Sequence, residues 1–308
     1  MRRTLQITRR NSTYQTLESL LSNRQKRHRS GTFLIEGVRP INTALAHGWP
    51  VEAVLYAGGA SLSAWAEDIV RRTEADRLEM GADLLRALSR RDEGSELLVL
   101  ARMPPGSLER IPISSDLLVV VMDRPANPGN LGTLMRSCDA FGAQGLIISG
   151  HGVDVYEPAV ITASRGSLFA LPVVSVPSHA EVATWISGVR ERLGMCQVVG
   201  GDERAATVPA DHHFTVPTVL VMGNETRGLS HAYRELCGVH LRIPMSGSAS
   251  SLNVSVAASV LLYEVRRQRA AAPAAPAAPA VEGSGDSCID GQGVGTTASG
   301  LKRPSANR

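Results

Sequence analysis

Apolar residues recur along the first 269 positions in two alternating rhythms, one of helical spacing and one of short continuous runs. Tyr14, Leu17, Leu20 and Leu21 fall on one side of a helix predicted over Thr13–Asn23. Short apolar runs at Thr32–Glu36 (TFLIE), Val51–Tyr56 (VEAVLY) and Leu97–Ala101 predict strands, and Pro40–His47, Leu62–Thr73 and Ala82–Leu88 predict helices between them. The pattern breaks at 104–115, where Pro104, Pro105, Gly106 and Pro112 predict a linker. Beyond it, Leu117–Met122, Gly145–Ile148, Gln197–Gly200, Thr218–Met222 and His240–Ile243 read as strands buried on both faces. Helices are predicted at Gly132–Phe141, His179–Leu193 and Leu252–Gln268. Fully apolar strands separated by helices predict a mainly parallel sheet. The chain thus divides into an α/β domain at 1–103, a linker at 104–115, a second α/β domain at 116–269 and a tail at 270–308. The Ala/Pro and Gly/Ser content of the tail predicts disorder, because it has almost nothing apolar to bury.

Composition adds exclusions. At 308 residues with 43% apolar content, the chain holds enough material for two cores. No run is long enough to span a bilayer, and MRRTLQITRR lacks the apolar region of a signal peptide, so a cytoplasmic protein is expected. Cys138, Cys196, Cys237 and Cys288 are scattered, which predicts reduced, structural thiols and no metal site. Lys26 and Lys302 are the two lysines, and each precedes an arginine, so a P-loop is excluded. Net charge is +3 overall, yet residues 1–29 carry eight basic residues against Glu18, leaving −4 for the rest. Such a basic segment fits either a polyanionic partner or a solvated terminus. No G-x-G-x-x-G follows a strand and no G-x-S-x-G elbow occurs, which argues against a dinucleotide fold and an α/β-hydrolase.

Candidate chemistry lies in three loops, each starting where an apolar strand stops, the usual ligand-binding end of such sheets. The first, Asp123–Gly132, enters a helix carrying Arg136, with Asn130 near its start. By itself it fits a capped helix with an exposed arginine as well as a site. The second, Met222–Leu229, sets Glu225 between Gly223 and Gly228, as suited to a tight turn as to a ligand. The third, Ile243–Asn253, gathers four serines before a helix start, where backbone N–H groups favour an anionic ligand group.

Together the loops resemble the three motifs of the SpoU/TrmH class of trefoil-knot (SPOUT) RNA 2′-O-ribose methyltransferases. The first matches at Asn130-Leu131-Gly132 with Arg136. The second matches at Gly223-Asn224-Glu225 with Gly228. The third matches at Ile243-Pro244-Met245 and Ser250-Ser251-Leu252-Asn253. Ala163–Phe169 resembles the region between motifs one and two, and Ile7–Asn11 with Phe33–Gly37 resembles the family's L30e-like substrate-binding domain. One departure is Asn127-Pro128, where many members have Asp-Pro; no loss of activity is expected from it.

The resemblance implies an N-terminal L30e-like domain and a C-terminal parallel sheet with a deep trefoil knot. It also implies a homodimer, S-adenosyl-L-methionine as cofactor and no metal. It assigns Gly223, Ile243, Met245 and Leu252 to the cofactor, and Arg136, Asn130, Glu225, Ser251 and Asn253 to catalysis. A guanidinium is cationic at neutral pH, which favours an orienting role for Arg136 over proton removal. Arg9, Arg10, Arg24, Lys26, Arg27, Arg29 and Arg39 are the expected RNA contacts. Within the class, Gly37–Ile41, His47–Val51, Asp123–Pro125 and Asp154–Tyr156 look most like members that modify 23S rRNA and confer antibiotic resistance. A tRNA ribose target and a catalytically silent RNA-binding protein remain alternatives.

Overall fold

The computed structural model describes residues 3–272. The first half runs β1 (Thr4–Ile7), α1 (Ser12–Ser22), α2 (Arg24–Ser30), β2 (Thr32–Glu36), α3 (Val38–Ala46), β3 (Val51–Ala57), α4 (Ala64–Arg72), β4 (Asp76–Met80), α5 (Ala82–Leu88) and β5 (Leu97–Arg102). Its five strands pair in the order β1-β4-β3-β5-β2, parallel across β1-β4-β3 and antiparallel through β5. The described part of the segment with the +7 charge, from residue 3 on, supplies β1, α1 and most of α2 rather than a loose arm.

The second half runs β6 (Leu118–Asp123), α6 (Pro128–Ala140), β7 (Gly145–Ser149), α7 (Pro158–Ser164), α8 (Ser167–Ala170), β8 (Val173–Val176), α9 (His179–Leu193), β9 (Gln197–Gly201), β10 (Thr218–Met222), α10 (His231–Leu236), β11 (Val239–Leu241) and α11 (Val254–Ala271). Its six strands are all parallel, in the order β11-β9-β10-β6-β7-β8. The central strands β6, β7 and β10 are buried at every residue, as helices on both faces require.

Two expectations move. The segment 104–115 is docked rather than free, for Leu108–Arg110 forms a short 3₁₀ turn and Ile111 is buried against Gly145, where a Cβ would lie 2.8 Å from Ile111 Cγ1. The last helix continues to Ala271, past the expected boundary at 269, and the rest of the tail lies outside the described residues.

The two sheets share a core. Phe33, Ile35 and Ile41 from the first belong to one buried cluster with Val155, Leu168 and Phe169 from the second. Phe33 packs on Tyr156 and Phe169, and Trp49 Nε1 donates to the Phe169 carbonyl at 2.9 Å. This continuous apolar contact holds the first domain at a set position against the second. No helix among the described residues is long and apolar enough to cross a membrane. Cys138, Cys196 and Cys237 are buried free thiols, and burial pushes the Cys237 thiol up to about 12, so it is inert at neutral pH. Cys288 lies outside the described residues.

Candidate active site

The three loops emerge from β6, β10 and β11 and meet at the carboxyl end of the second sheet. The first opens α6. Asn127 is its N-cap, accepting from Gly129 N at 2.8 Å and Asn130 N at 3.1 Å, with Pro128 next at N1. The cap is therefore Asn127 and not Asn130, and an Asp there could accept the same two N–H groups. Asn130, freed from capping, turns its side chain inward. Its Nδ2 donates to Glu225 Oε1 at 3.3 Å and its Oδ1 accepts from Asn253 Nδ2 at 2.9 Å.

Glu225 clamps the first loop from the second. Its Oε2 accepts Ala126 N and its Oε1 accepts Asn127 N, both at 3.0 Å. These are charge-assisted bonds, the stronger kind. The loop carrying Glu225 is itself tied down: Asn224 Nδ2 donates to the Arg124 carbonyl at 2.7 Å, and Asn224 Oδ1 accepts Thr226 N and Arg227 N at 3.0 and 3.1 Å. Gly223 is required by close approach, since a Cβ there would lie 2.2 Å from the Gly228 carbonyl carbon. From the third loop, Asn253 caps α11 through Ser255 N at 2.9 Å while reaching Asn130. Asn130, Glu225 and Asn253 thus form one hydrogen-bonded chain joining all three loops.

Beside it lies a cavity of about 410 Å³. Met222, Leu241, Ile243, Met245, Leu252 and Leu261 line its apolar side, with Gly223, Glu225, Arg227 and Ser251 on the polar side. Eight of the nine residues assigned to catalysis or cofactor from sequence are here or hydrogen-bonded to it. Arg136 is not among the lining residues; it stands exposed on α6. Sequence reasoning assigned no role to Asn127, Asn224 or Asp123. Asp123 is buried, accepts Ser230 N at 3.0 Å, and holds Arg124 in a two-pronged pair at 2.9 and 3.0 Å. A polar residue ahead of Pro128 was the one available signal for the cap.

Residues 117–263 match the model of the SpoU rRNA methylase family, and residues 11–100 match that of the SpoU L30e-like domain. The chain is 48% identical over 264 residues to the 23S rRNA (uridine(2479)-2′-O)-methyltransferase of Streptomyces viridochromogenes, covering 85% of this chain and 92% of that one. The chain belongs to the SpoU rRNA methylase family. Its backbone agrees: the crystal structure of the SpoU methyltransferase AviRb from S. viridochromogenes in complex with AdoMet superposes with a TM-score of 0.82 at 47% identity, over 86% of this chain and all of that one. An AdoMet-bound rRNA methyltransferase from Sinorhizobium meliloti superposes with a TM-score of 0.76 at 27% identity, over 86% and 98%.

Of the basic side chains expected to meet RNA, all but one are exposed on the L30e-like half. Arg9, Arg10, Arg24, Lys26, Arg29 and Arg39 are exposed. Arg27 is not: it is 2% exposed, its Nη2 lies 2.6 Å from Asp154 Oδ2, and its Nη1 donates to the Leu20 carbonyl at 2.7 Å. A phosphate cannot reach it. Arg27 is instead a strut that pins α2 to the catalytic half, with His28 Nε2 3.0 Å from the other Asp154 oxygen. Arg24 is only partly free, since its Nη1 donates to the Gly152 carbonyl at 2.8 Å.

Proposed function

We propose that the chain is an S-adenosylmethionine-dependent 2′-O-ribose methyltransferase acting on 23S rRNA. One observation carries the reading: the Asn130–Glu225–Asn253 chain, which ties the three motif loops together, borders a cavity of cofactor-compatible size, about 410 Å³, lined by the second and third of those loops. The apolar side, with Ile243, Met245 and Leu252, suits an adenine face, and Gly223 leaves the neighbouring backbone uncovered. The bound cofactor supplies a methyl on cationic sulfur, ready for displacement by a hydroxyl oxygen.

The protein's own contribution is positional. Glu225 and Asn253 fix the Asn130 amide, Ser251 stands at the rim to meet the ribose, and Arg136 orients the hydroxyl and the adjoining phosphate. The close crossing of the second loop at Gly223 fits the trefoil knot of the family. Calorimetry is the first test. One S-adenosylmethionine per chain is expected; RNA binding without cofactor binding would favour a silent RNA-binding protein. The likeness to 23S rRNA enzymes favours ribosomal over transfer RNA, action in the cytoplasm, and protection of the ribosome from an antibiotic.

The same reading makes the protein a homodimer. Val256, Val260 and Tyr263 of α11 are 47%, 39% and 57% exposed at helical spacing, an apolar stripe without a cover in the single chain. The Ser137–Ser259 hydroxyl contact of 2.7 Å joins α6 to α11 beside that stripe, so a second copy seated there would also approach Arg136. Sedimentation equilibrium of the wild type should give a dimer. Val256→Arg with Val260→Arg should give a folded monomer that retains cofactor binding and loses most methyl transfer. A monomeric wild type would contradict the arrangement.

A further inference from the structure

A second cavity, of about 480 Å³, shares Asn224 and Arg227 with the first and continues over Arg124, Pro125, His151 and Gly152. Its floor is preformed. Arg124 adopts a left-handed backbone, φ 50°, and its guanidinium is locked by the two oxygens of Asp123. The facing turn packs closely enough that a Cβ on Gly152 would lie 2.8 Å from the Pro125 carbonyl, and one on Gly150 2.9 Å from Arg124 Cγ.

Asp123 is paired with Arg124 and accepts Ser230 N, and Asp154 is paired with Arg27 and meets His28; Glu225 keeps its charge, but it is bonded to the first-loop amides and lines the first cavity rather than the second. Among the described residues, the Arg227 guanidinium and the exposed His151 imidazole have no acidic or hydrogen-bonding partner. At the rim, Arg24 is anchored on the Gly152 carbonyl, and Lys26 and Arg29 follow on the same helix, which the buried Arg27–Asp154 pair holds in position. A hollow with an unpaired guanidinium and an unpaired imidazole, adjoining the reaction cavity and reached from a basic helix, has the donors of a phosphate seat.

We propose that this second cavity seats a backbone phosphate of the RNA strand next to the target ribose, with Arg227 and His151 as its contacts and α2 guiding the strand in. The proposal rests on the methyltransferase reading and extends it by naming how the substrate is held. Arg227 and His151 are substrate-binding residues, and Arg27 a positioning residue that acts through α2.

The test uses the full chain, in vitro-transcribed 23S rRNA and labelled S-adenosylmethionine. Arg227→Ala should raise the KM for RNA about tenfold, and His151→Ala should raise it severalfold with kcat changed less than about twofold. Each removed phosphate contact should lower the salt slope of RNA binding by about 0.7. Arg227→Lys should recover part of the Arg227→Ala loss, and cofactor affinity by calorimetry should stay unchanged in His151→Ala, which lines the second cavity and not the first. Unchanged RNA KM and salt slope in the Arg227→Ala, His151→Ala double variant would overturn the proposal. So would a fall in cofactor affinity matching the activity loss, which would assign Arg227 to the first cavity alone. If the wild type transfers no methyl, the methyltransferase reading fails, and salt-dependent RNA binding by filter retention still decides the phosphate seat.

Discussion

A Glu225→Gln variant is expected to lose roughly 30- to 150-fold in methyl-transfer rate, the equivalent of about 2–3 kcal/mol. Glutamine is nearly the same shape, so the loss comes from hydrogen-bond polarity. Each carboxylate oxygen of Glu225 accepts a backbone N–H, from Ala126 and Asn127, and one also accepts the Asn130 amide. Glutamine keeps one acceptor oxygen and turns the other position into a donor facing a donor. One amide of the first loop then has no partner, and Asn130 loses its fixed orientation. Glu225→Ala should be similarly impaired. Steady-state rates at saturating cofactor and RNA check this, and a glutamine variant retaining half the wild-type rate would show that the clamp is dispensable.

Asp154→Ala is expected to destabilise the protein by about 3–5 kcal/mol, because it strands a buried guanidinium. Arg27 and Asp154 are 3% and 4% exposed in their side chains, and the aspartate also accepts Tyr156 N and meets His28. The pair itself need not be strongly stabilising, since both charges are removed from water. Replacing both, as Arg27→Met with Asp154→Leu, should therefore cost much less than Asp154→Ala alone. Urea unfolding of the wild type and these two variants measures this; an Asp154→Ala midpoint equal to the wild type would mean that water reaches Arg27 and the strut does not exist.

The elements most legible in the sequence are those whose burial is complete or strictly periodic. Thr218–Met222, Ala82–Leu88 and His179–Leu193 have their expected bounds, because buried apolar runs and helical periodicity leave little choice. Of the elements missed, β1, β4 and α2 lack that signature, while β8, VVSV, is a buried apolar run too short to stand out. β1 is an edge strand with three of four residues exposed, and β4, DRLEM, buries only Leu78 and Met80. α2, RQKRHRS, has no apolar stripe at all, since its one buried side chain is the charged Arg27. Its partner lies 127 residues away, which no local pattern reveals. The site was legible at a finer level than the fold around it. Asn130, Glu225, Asn253 and the lining residues Gly223, Ile243, Met245 and Leu252 were recoverable from motif resemblance, and they converge. Which asparagine caps α6 turns on three residues of loop geometry, and Arg136 stands exposed on α6, apart from the cavity.

The proposed methylation of a 23S rRNA ribose is read most directly by mapping 2′-O-methyl nucleotides on 23S rRNA incubated with the protein and S-adenosylmethionine, beside parallel reactions with Asn130→Ala and Arg136→Ala. One new 2′-O-methyl nucleotide is expected with the wild type and none with either variant. Methylation of a base instead of a ribose, or full ribose methylation by both variants, would contradict it.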